Sequence, residues 1–190
     1  MKQMRISIIL LPVMSILLGF AYPLAMAGIA RLFCENKAGG SLVTMGGTII
    51  GSRLIGQGFS GPRYFHGRPS VNNYDGANSG GSNLGPTNGK LIDRAVKNID
   101  RARGDNALPP DAKIPSDLVL ASASGLDPHI SLDAALLQAD RIARERGIDK
   151  KAVDDLIERN TERPYFNIWG TPHVNVLALN ISLDANGARK

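Results

Sequence analysis

Much is missing from this 190-residue chain. A single cysteine, Cys34, excludes an internal disulfide, and no lipidation box precedes it. Aromatic residues make up only 5% of the sequence, and no basic block interleaves with them, so the stacking platform and phosphate track of a nucleic-acid binder are absent. The formal charge is +5, but acids and bases alternate in stretches such as Asp140-Arg141-Ile142-Ala143-Arg144-Glu145-Arg146, the pattern of a solvated helix face. The three histidines, His66, His129 and His173, stand far apart in sequence with no metal-ligand spacing. No metal site is expected from them.

Motifs for nucleotide or acyl chemistry are also lacking. Gly85-Pro86-Thr87-Asn88-Gly89-Lys90-Leu91 has three residues between its glycines where a Walker A loop needs four. Leu91 replaces the metal-binding Ser or Thr, and Pro86 removes a donor N–H. A helix-start turn is the better reading. Asn78-Ser79-Gly80-Gly81-Ser82-Asn83 offers more free donors for an anion or a partner, although short polar glycine clusters are usually turns. Ser124, in Ala121-Ser122-Ala123-Ser124-Gly125, lacks the first glycine of a nucleophile elbow. Asp127-Pro128-His129 reads as an Asx-type turn leading to a helix cap at Ser131.

What is present begins with an uncharged apolar run from Ile6 to Ala30. Its roughly 25 residues would make a helix of about 37 Å, enough to cross a hydrocarbon core of about 30 Å with some tilt. Ala25-Met26-Ala27 resembles a signal cleavage site, but signal cores run only about 7 to 15 residues, so the run reads as a retained anchor. Pro12 and Pro23 should kink or locally unwind it, which suits packing against partner helices. A single span encloses no pore, so any transport path must come from other subunits. Lys2, Arg5 and the terminal amine outweigh Arg31, Glu35 and Lys37, which puts residues 1–5 in the cytoplasm as a short head and the bulk of the chain outside. Cys34 then reads as a small apolar residue at the interface.

After the span (6–30) and a linker (31–41), residues 42–190 are long enough for one domain with a continuous core. Leu42 to Ile55, punctuated by Gly46-Gly47, predicts a hairpin. Gly56 to Gly89 has no period of 2 or 3.6 and predicts a long functional loop. Three helices follow. The first is Leu91 to Arg103, with Ile92, Ala95, Val96 and Ile99 inward and Gly104 as stop; the second runs from a cap at Ser131 to Gly147. The third starts near Asp149, buries Ala152, Val153, Leu156 and Ile157, and ends before Pro164. Strands are expected at Asp117 to Ala121 and, from alternating Leu177, Leu179, Ile181 and Leu183, at Val174 to Leu183. The tail from Ala185 to Lys190 should fray. The mixture predicts an α+β fold.

Five blocks in order carry a resemblance: G-S-R-L-I-G-Q (Gly51 to Gln57), Y-F-H-G-R-P-S (Tyr64 to Ser70), S-G-G-S-N-L-G-P-T-N (Ser79 to Asn88), L-V-L-A-S-A-S-G-L-D-P-H-I-S (Leu118 to Ser131) and V-N-V-L-A-L-N-I-S-L-D (Val174 to Asp184). With the preceding span, the chain resembles the C subunit of the Kdp potassium-transporting P-type ATPase of bacteria over its whole length. The resemblance implies a non-catalytic subunit of a high-affinity potassium-uptake complex in the bacterial plasma membrane. Its implied partners are a channel-like potassium-binding subunit, a P-type subunit that hydrolyses ATP, and membrane lipid. It further implies a catalytic chaperone that raises the pump subunit's affinity for ATP without binding a cofactor tightly, with Gln138 as the position tied to nucleotide contact. Partner contacts would fall on Tyr64, Phe65, Gly67, Arg68 and Pro69, on Ser79, Gly80, Gly81, Ser82 and Asn83, and on Ser124, Gly125, Asp127 and His129.

One conflict is visible in the sequence. A domain outside the cell meets no cytosolic ATP, so direct nucleotide contact by Gln138 and an outward domain exclude each other in a resting complex. An outward domain would cap the channel-like subunit's entrance and act on ATP affinity allosterically. Two other classes remain as alternatives: a membrane-tethered hydrolase using Ser124 or Ser122 with His129, and a tethered solute-binding domain whose site is the long loop.

Overall fold

The computed structural model describes residues 2–164, 166 and 168–187. The chain divides into two compact units, residues 1–50 and 51–190. The fold is α+β, with one long apolar helix followed by helices and two small sheets.

The first unit opens with α1 (Lys2–Ile16), continues through a π-helical turn at Leu17–Ala21 and resumes as α2 (Tyr22–Phe33). The expected unwinding lies between the two prolines. Pro23 has no N–H to give Gly19, and its ring crowds that carbonyl, so the helix widens and the Tyr22 N–H bonds Leu17 O, five residues back. None of these side chains is buried, and Lys2–Phe33 is long and apolar enough to cross a membrane. Residues of the expected linker form a further turn, α3 (Glu35–Ala38), before Gly39-Gly40-Ser41, where Gly40 and Ser41 take positive φ. The hairpin follows as β1 (Leu42–Met45) and β2 (Thr48–Ser52). Gly46 and Gly47, both at positive φ, supply the turn that strand twist requires.

In the second unit no helix or strand interrupts residues 53–88; the loop expected over Gly56 to Gly89 starts three residues earlier, and Gly89 already belongs to the next helix. Then come α4 (Gly89–Asn106), a 3-10 turn (Ser116–Leu118), β3 (His129–Ser131), α5 (Leu132–Arg146), α6 (Lys150–Arg159), β4 (Thr161–Glu162), β5 (His173–Asn175) and α7 (Val176–Gly187). The three short strands form one antiparallel sheet in the order β3-β5-β4. The core lies where α5, α6 and α7 meet that sheet, with Ile130, Ala139, Ile142, Val153, Ile157, Val174, Leu179 and Leu183 buried together. Caps match their residues: Ser131 Oγ accepts the Ala134 N–H, Asp149 accepts from Lys151, and Gly147 closes α5 in the left-handed region.

Several expectations need correction. The strand read over Val174 to Leu183 is a strand of three residues followed by α7; Val176, Leu179, Asn180 and Leu183 are buried at helical spacing, and Asn175 caps the helix by accepting the Ala178 N–H. A short Leu-rich run fits both periods. The strand at Asp117 to Ala121 is instead a 3-10 turn followed by irregular chain, with Leu118 N–H on Pro115 O and Val119 N–H on Ser116 O. Gly104 does not stop α4, which runs to Asn106 because the Asn106 side chain is buried and bonded to Ala102 O and Arg141. Its Ile92 and Val96 face outward, and Ala152 of α6 is likewise exposed. Of the tail expected to fray, Ala185–Gly187 is helical and 188–190 lie outside the described residues.

Candidate functional site

The Y-F-H-G-R-P-S segment is fixed to the helices by two side-chain amides that imitate strand pairing. Asn180 Oδ1 accepts the Phe65 N–H at 2.9 Å and its Nδ2 donates to Phe65 O at 3.0 Å. Gln138 repeats the arrangement one residue on, accepting the His66 N–H at 2.8 Å and donating to His66 O at 3.1 Å. Each amide satisfies one donor and one acceptor of a loop that has no strand neighbour. Phe65 is thereby held fully buried in the core.

Beneath this segment lies Arg141. The sequence reads it as part of a solvated face, but it is only 2% exposed. Its Nε donates to Asn106 Oδ1, its Nη1 to the carbonyls of Tyr64 and Pro62, and its Nη2 to Gln138 Oε1. Among the described residues no carboxylate touches the guanidinium; burial lowers its pKa, and its charge is carried by neutral oxygen acceptors. Tyr64 is clamped on the outside: its hydroxyl donates to Asp184, and Arg146 lies over its ring at 4.9 Å while pairing with Asp184 at 2.7 Å. His66 Nε2 is 3.0 Å from Gly61 O, and burial, reinforced by the Arg141 charge, lowers its pKa.

Arg68 reaches back to Asp127 with 3.0 Å between Nη1 and Oδ2. Asp127 is pulled down to about 2, first by its hydrogen bond to the His129 side chain, then by the His129 N–H and by Arg68. Gly67 and Pro69 flank Arg68 in the same half-buried stretch, and the Tyr74 hydroxyl donates to Arg68 O at 2.6 Å. The Ser79 to Asn83 cluster lies against Ser124-Gly125. There Gly80 N–H donates to Ser124 O at 2.9 Å, Ser79 Oγ donates to the same carbonyl, Ser82 is half-buried and Asn83 is exposed with positive φ. Gly125 has φ +67, and a Cβ there would sit 2.7 Å from Asn72 Oδ1 and 2.9 Å from Gly80 O. Gly81 and Gly56 are equally close to the backbone of Ala123 and Asp127. These glycines let the loop lie directly on the S-G-L-D-P-H chain.

The structure therefore brings the candidate residues together as a loop seat. Ser124 Oγ meets the Leu126 N–H and Ser122 Oγ, whereas the His129 ring faces Asp127, Asn175 and His173. The serine and histidine of a hydrolase are thus each engaged elsewhere. Gln138, 1% exposed, uses both ends of its amide on His66, with further bonds to Ala134 O and Arg141. Sequence reading missed Asn180, Arg141 and Asn106. The available signal was a polar residue inside an apolar stripe, as in V-L-A-L-N-I-S-L.

Comparison with known proteins gives the same reading of the whole chain. The family described as K+-transporting ATPase, c chain, matches residues 4–185. The chain belongs to the KdpC family. It is 45% identical to the potassium-transporting ATPase KdpC subunit of Rhodopseudomonas palustris (strain BisB5), covering 97% of this chain and 98% of that one. The subunit of the same name from Koribacter versatilis is 46% identical over 96% and 94% of the two chains. That from Bradyrhizobium diazoefficiens is 44% identical over the full length of both. The loop seat and the apolar helix are thus features of a member of this family.

Proposed function

We propose that this chain is a non-catalytic subunit that assembles a potassium-uptake ATPase in the bacterial plasma membrane and raises its affinity for ATP from a distance. Its helix Lys2–Phe33 packs beside the membrane helices of a channel-like potassium-binding subunit and a P-type ATP-hydrolysing subunit, with lipid on its remaining faces. The second unit lies on the outer side. Its loop, from Gly56 to Asn88, is the partner surface.

The observation that carries this reading is the saturation of Gln138. An amide whose donor and acceptor are both committed to a buried loop is a structural clamp, and a nucleotide would have to displace His66 to reach it. The sequence-motif residues then shape a surface rather than a reaction centre. Coupling to ATP is allosteric: the surface binds two pump conformations unequally, and the difference in free energy appears as a change in nucleotide affinity. ATP itself remains on the pump subunit.

Labelling of Cys34 by a membrane-impermeant maleimide in intact cells tests the outward placement. Modification before lysis is expected; modification only after lysis would reverse the topology. Replacement of Ile6 to Ala30 by an unrelated span should release the chain from its partners during purification in mild detergent, and retention of both partners would refute the lateral packing.

A further inference from the structure

The small sheet creates a feature that neither motif nor composition reveals. His173 on the central strand β5 is directly opposite Glu162 of β4, and Ser131 of β3 is its partner on the other side. His129 lies two residues from Ser131, so its side chain is on the same face of the sheet as His173. The two rings meet edge to face with centroids 4.8 Å apart. One ligand atom from each of His129, Glu162 and His173 lies within 4.8 Å of the others.

The ring nitrogens are already ordered for coordination. His173 Nδ1 is 2.8 Å from Thr171 O, which only a protonated Nδ1 can satisfy, leaving Nε2 as a lone pair 3.6 Å from Glu162 Oε2. His129 Nδ1 lies 3.5 Å from Asp127 Oδ1, and its Nε2 is 3.5 Å from the Asn175 amide nitrogen. His173 thus points Nε2 at Glu162 with a carbonyl behind Nδ1, and His129 carries a carboxylate behind its Nδ1. This is the outer shell that metal-binding imidazoles use to fix tautomer and raise basicity.

We propose that His129, Glu162 and His173 bind one divalent cation of the zinc class through two imidazole nitrogens and a carboxylate oxygen. Tetrahedral coordination with bonds of about 2.0–2.2 Å needs ligand atoms roughly 3.3–3.6 Å apart. The His173 and Glu162 pair already has that spacing, and side-chain rotation of His129 and the exposed Glu162 within the 4.8 Å cluster closes the rest. Two nitrogens and one oxygen select zinc, copper(II) or nickel over magnesium and calcium, which prefer all-oxygen sites. The adjoining cleft, about 750 Å³ in volume, leaves room for a water in the fourth position. It is lined by Asp117, Asp127 and Asp133 against the single guanidinium of Arg68, a balance that attracts a cation. Binding would tie all three strands of the sheet together at one point.

The test is a competition titration of the untagged full chain in detergent, with Zn2+ distributed between the protein and a chromophoric chelator at about pH 7.5. One equivalent should bind with micromolar or tighter affinity. Glu162→Gln and His173→Ala should weaken it by about 100-fold or more, and Asp127→Asn by about 10- to 100-fold. His66→Ala, remote from the cluster, should bind as the parent does. Glu162 is exposed, so its replacement reports on coordination even where a histidine variant folds poorly. Affinity no tighter than millimolar, or equal binding by the parent and Glu162→Gln, would overturn the proposal.

Discussion

Replacing Gln138 with leucine separates a clamp from a nucleotide contact. Leucine has similar volume but leaves His66 N–H and His66 O without partners, and it removes one acceptor from the buried Arg141. An unsatisfied buried polar group costs about 1–3 kcal/mol. Because His66 is only half-buried and can recruit some water, the two backbone groups together should cost about 2–4 kcal/mol. For a chain of this size each kcal/mol lowers Tm by about 2–4 °C, so a fall of roughly 5–15 °C is expected. Thermal unfolding of the purified full chain measures it, and hydrogen exchange at the His66 amide locates it, since that amide loses its acceptor. A residue that only touched nucleotide would behave otherwise, weakening ATP affinity by about one hydrogen bond, on the order of 1 kcal/mol, with Tm unchanged. A Gln138→Leu chain that melts within about 2 °C of the parent, with His66 still protected, would refute the clamp.

Other consequences follow from the same seat. Gly125→Ala combines a left-handed backbone with a Cβ 2.9 Å from Gly80 O, and should lose about 2 kcal/mol or more in urea unfolding; Gly85→Ala, with open space around it, should change stability by less than about 0.5 kcal/mol. Arg141→Lys cannot reproduce the bonds to Asn106, Tyr64 and Gln138 with one ammonium, so limited proteolysis should cut residues 59–66 faster than in the parent. His66 has a folded pKa below its ordinary 6.5, chiefly through burial. The unfolded chain therefore takes up the proton first, and this contribution to stability is complete above about pH 6.5 and is lost as pH falls from there towards the folded value. His66→Gln should flatten that part of a stability-against-pH curve, and an unchanged slope would show that the imidazole stays solvated.

Local chemistry was legible wherever a few neighbouring residues decide the outcome. Gly46-Gly47 announced the hairpin turn, Ser131 and Gly147 bounded α5, and Asp149 started α6, because caps and turns are satisfied within four residues. The absence of any period from Gly56 to Gly89 announced the loop. Where two periods fit one short run, as in Val176 to Leu183, the outcome depended on Asn180 finding Phe65, 115 residues away. The strand at Asp117 to Ala121 failed for a related reason: a 3-10 turn after Pro115 is enough to bury Leu118 and Val119, while Leu120 stays exposed. Three strands of two or three residues carry almost no propensity signal of their own. Their pairing brings His129 and His173 together although 44 positions separate them in sequence.

Burial of Gln138 also bears on the conflict between an outward domain and a nucleotide role. The conflict arises only if the amide is free to meet ATP. With both ends committed to His66, a change at position 138 acts first on the seating of the Tyr64 to Ser70 segment, and through Arg141 on Pro62, Tyr64 and Asn106. A loosened segment presents an altered surface to whatever partner it meets. Because linkage is reciprocal, a surface that distinguishes two states of the pump must change the pump's affinity for nucleotide by the same factor that nucleotide changes the pump's affinity for the surface. Reduced ATP affinity after a Gln138 substitution is then the expected outcome of an allosteric clamp as well. The location of the domain is decided by labelling of Cys34, and the part played by the amide by the stability of the isolated chain.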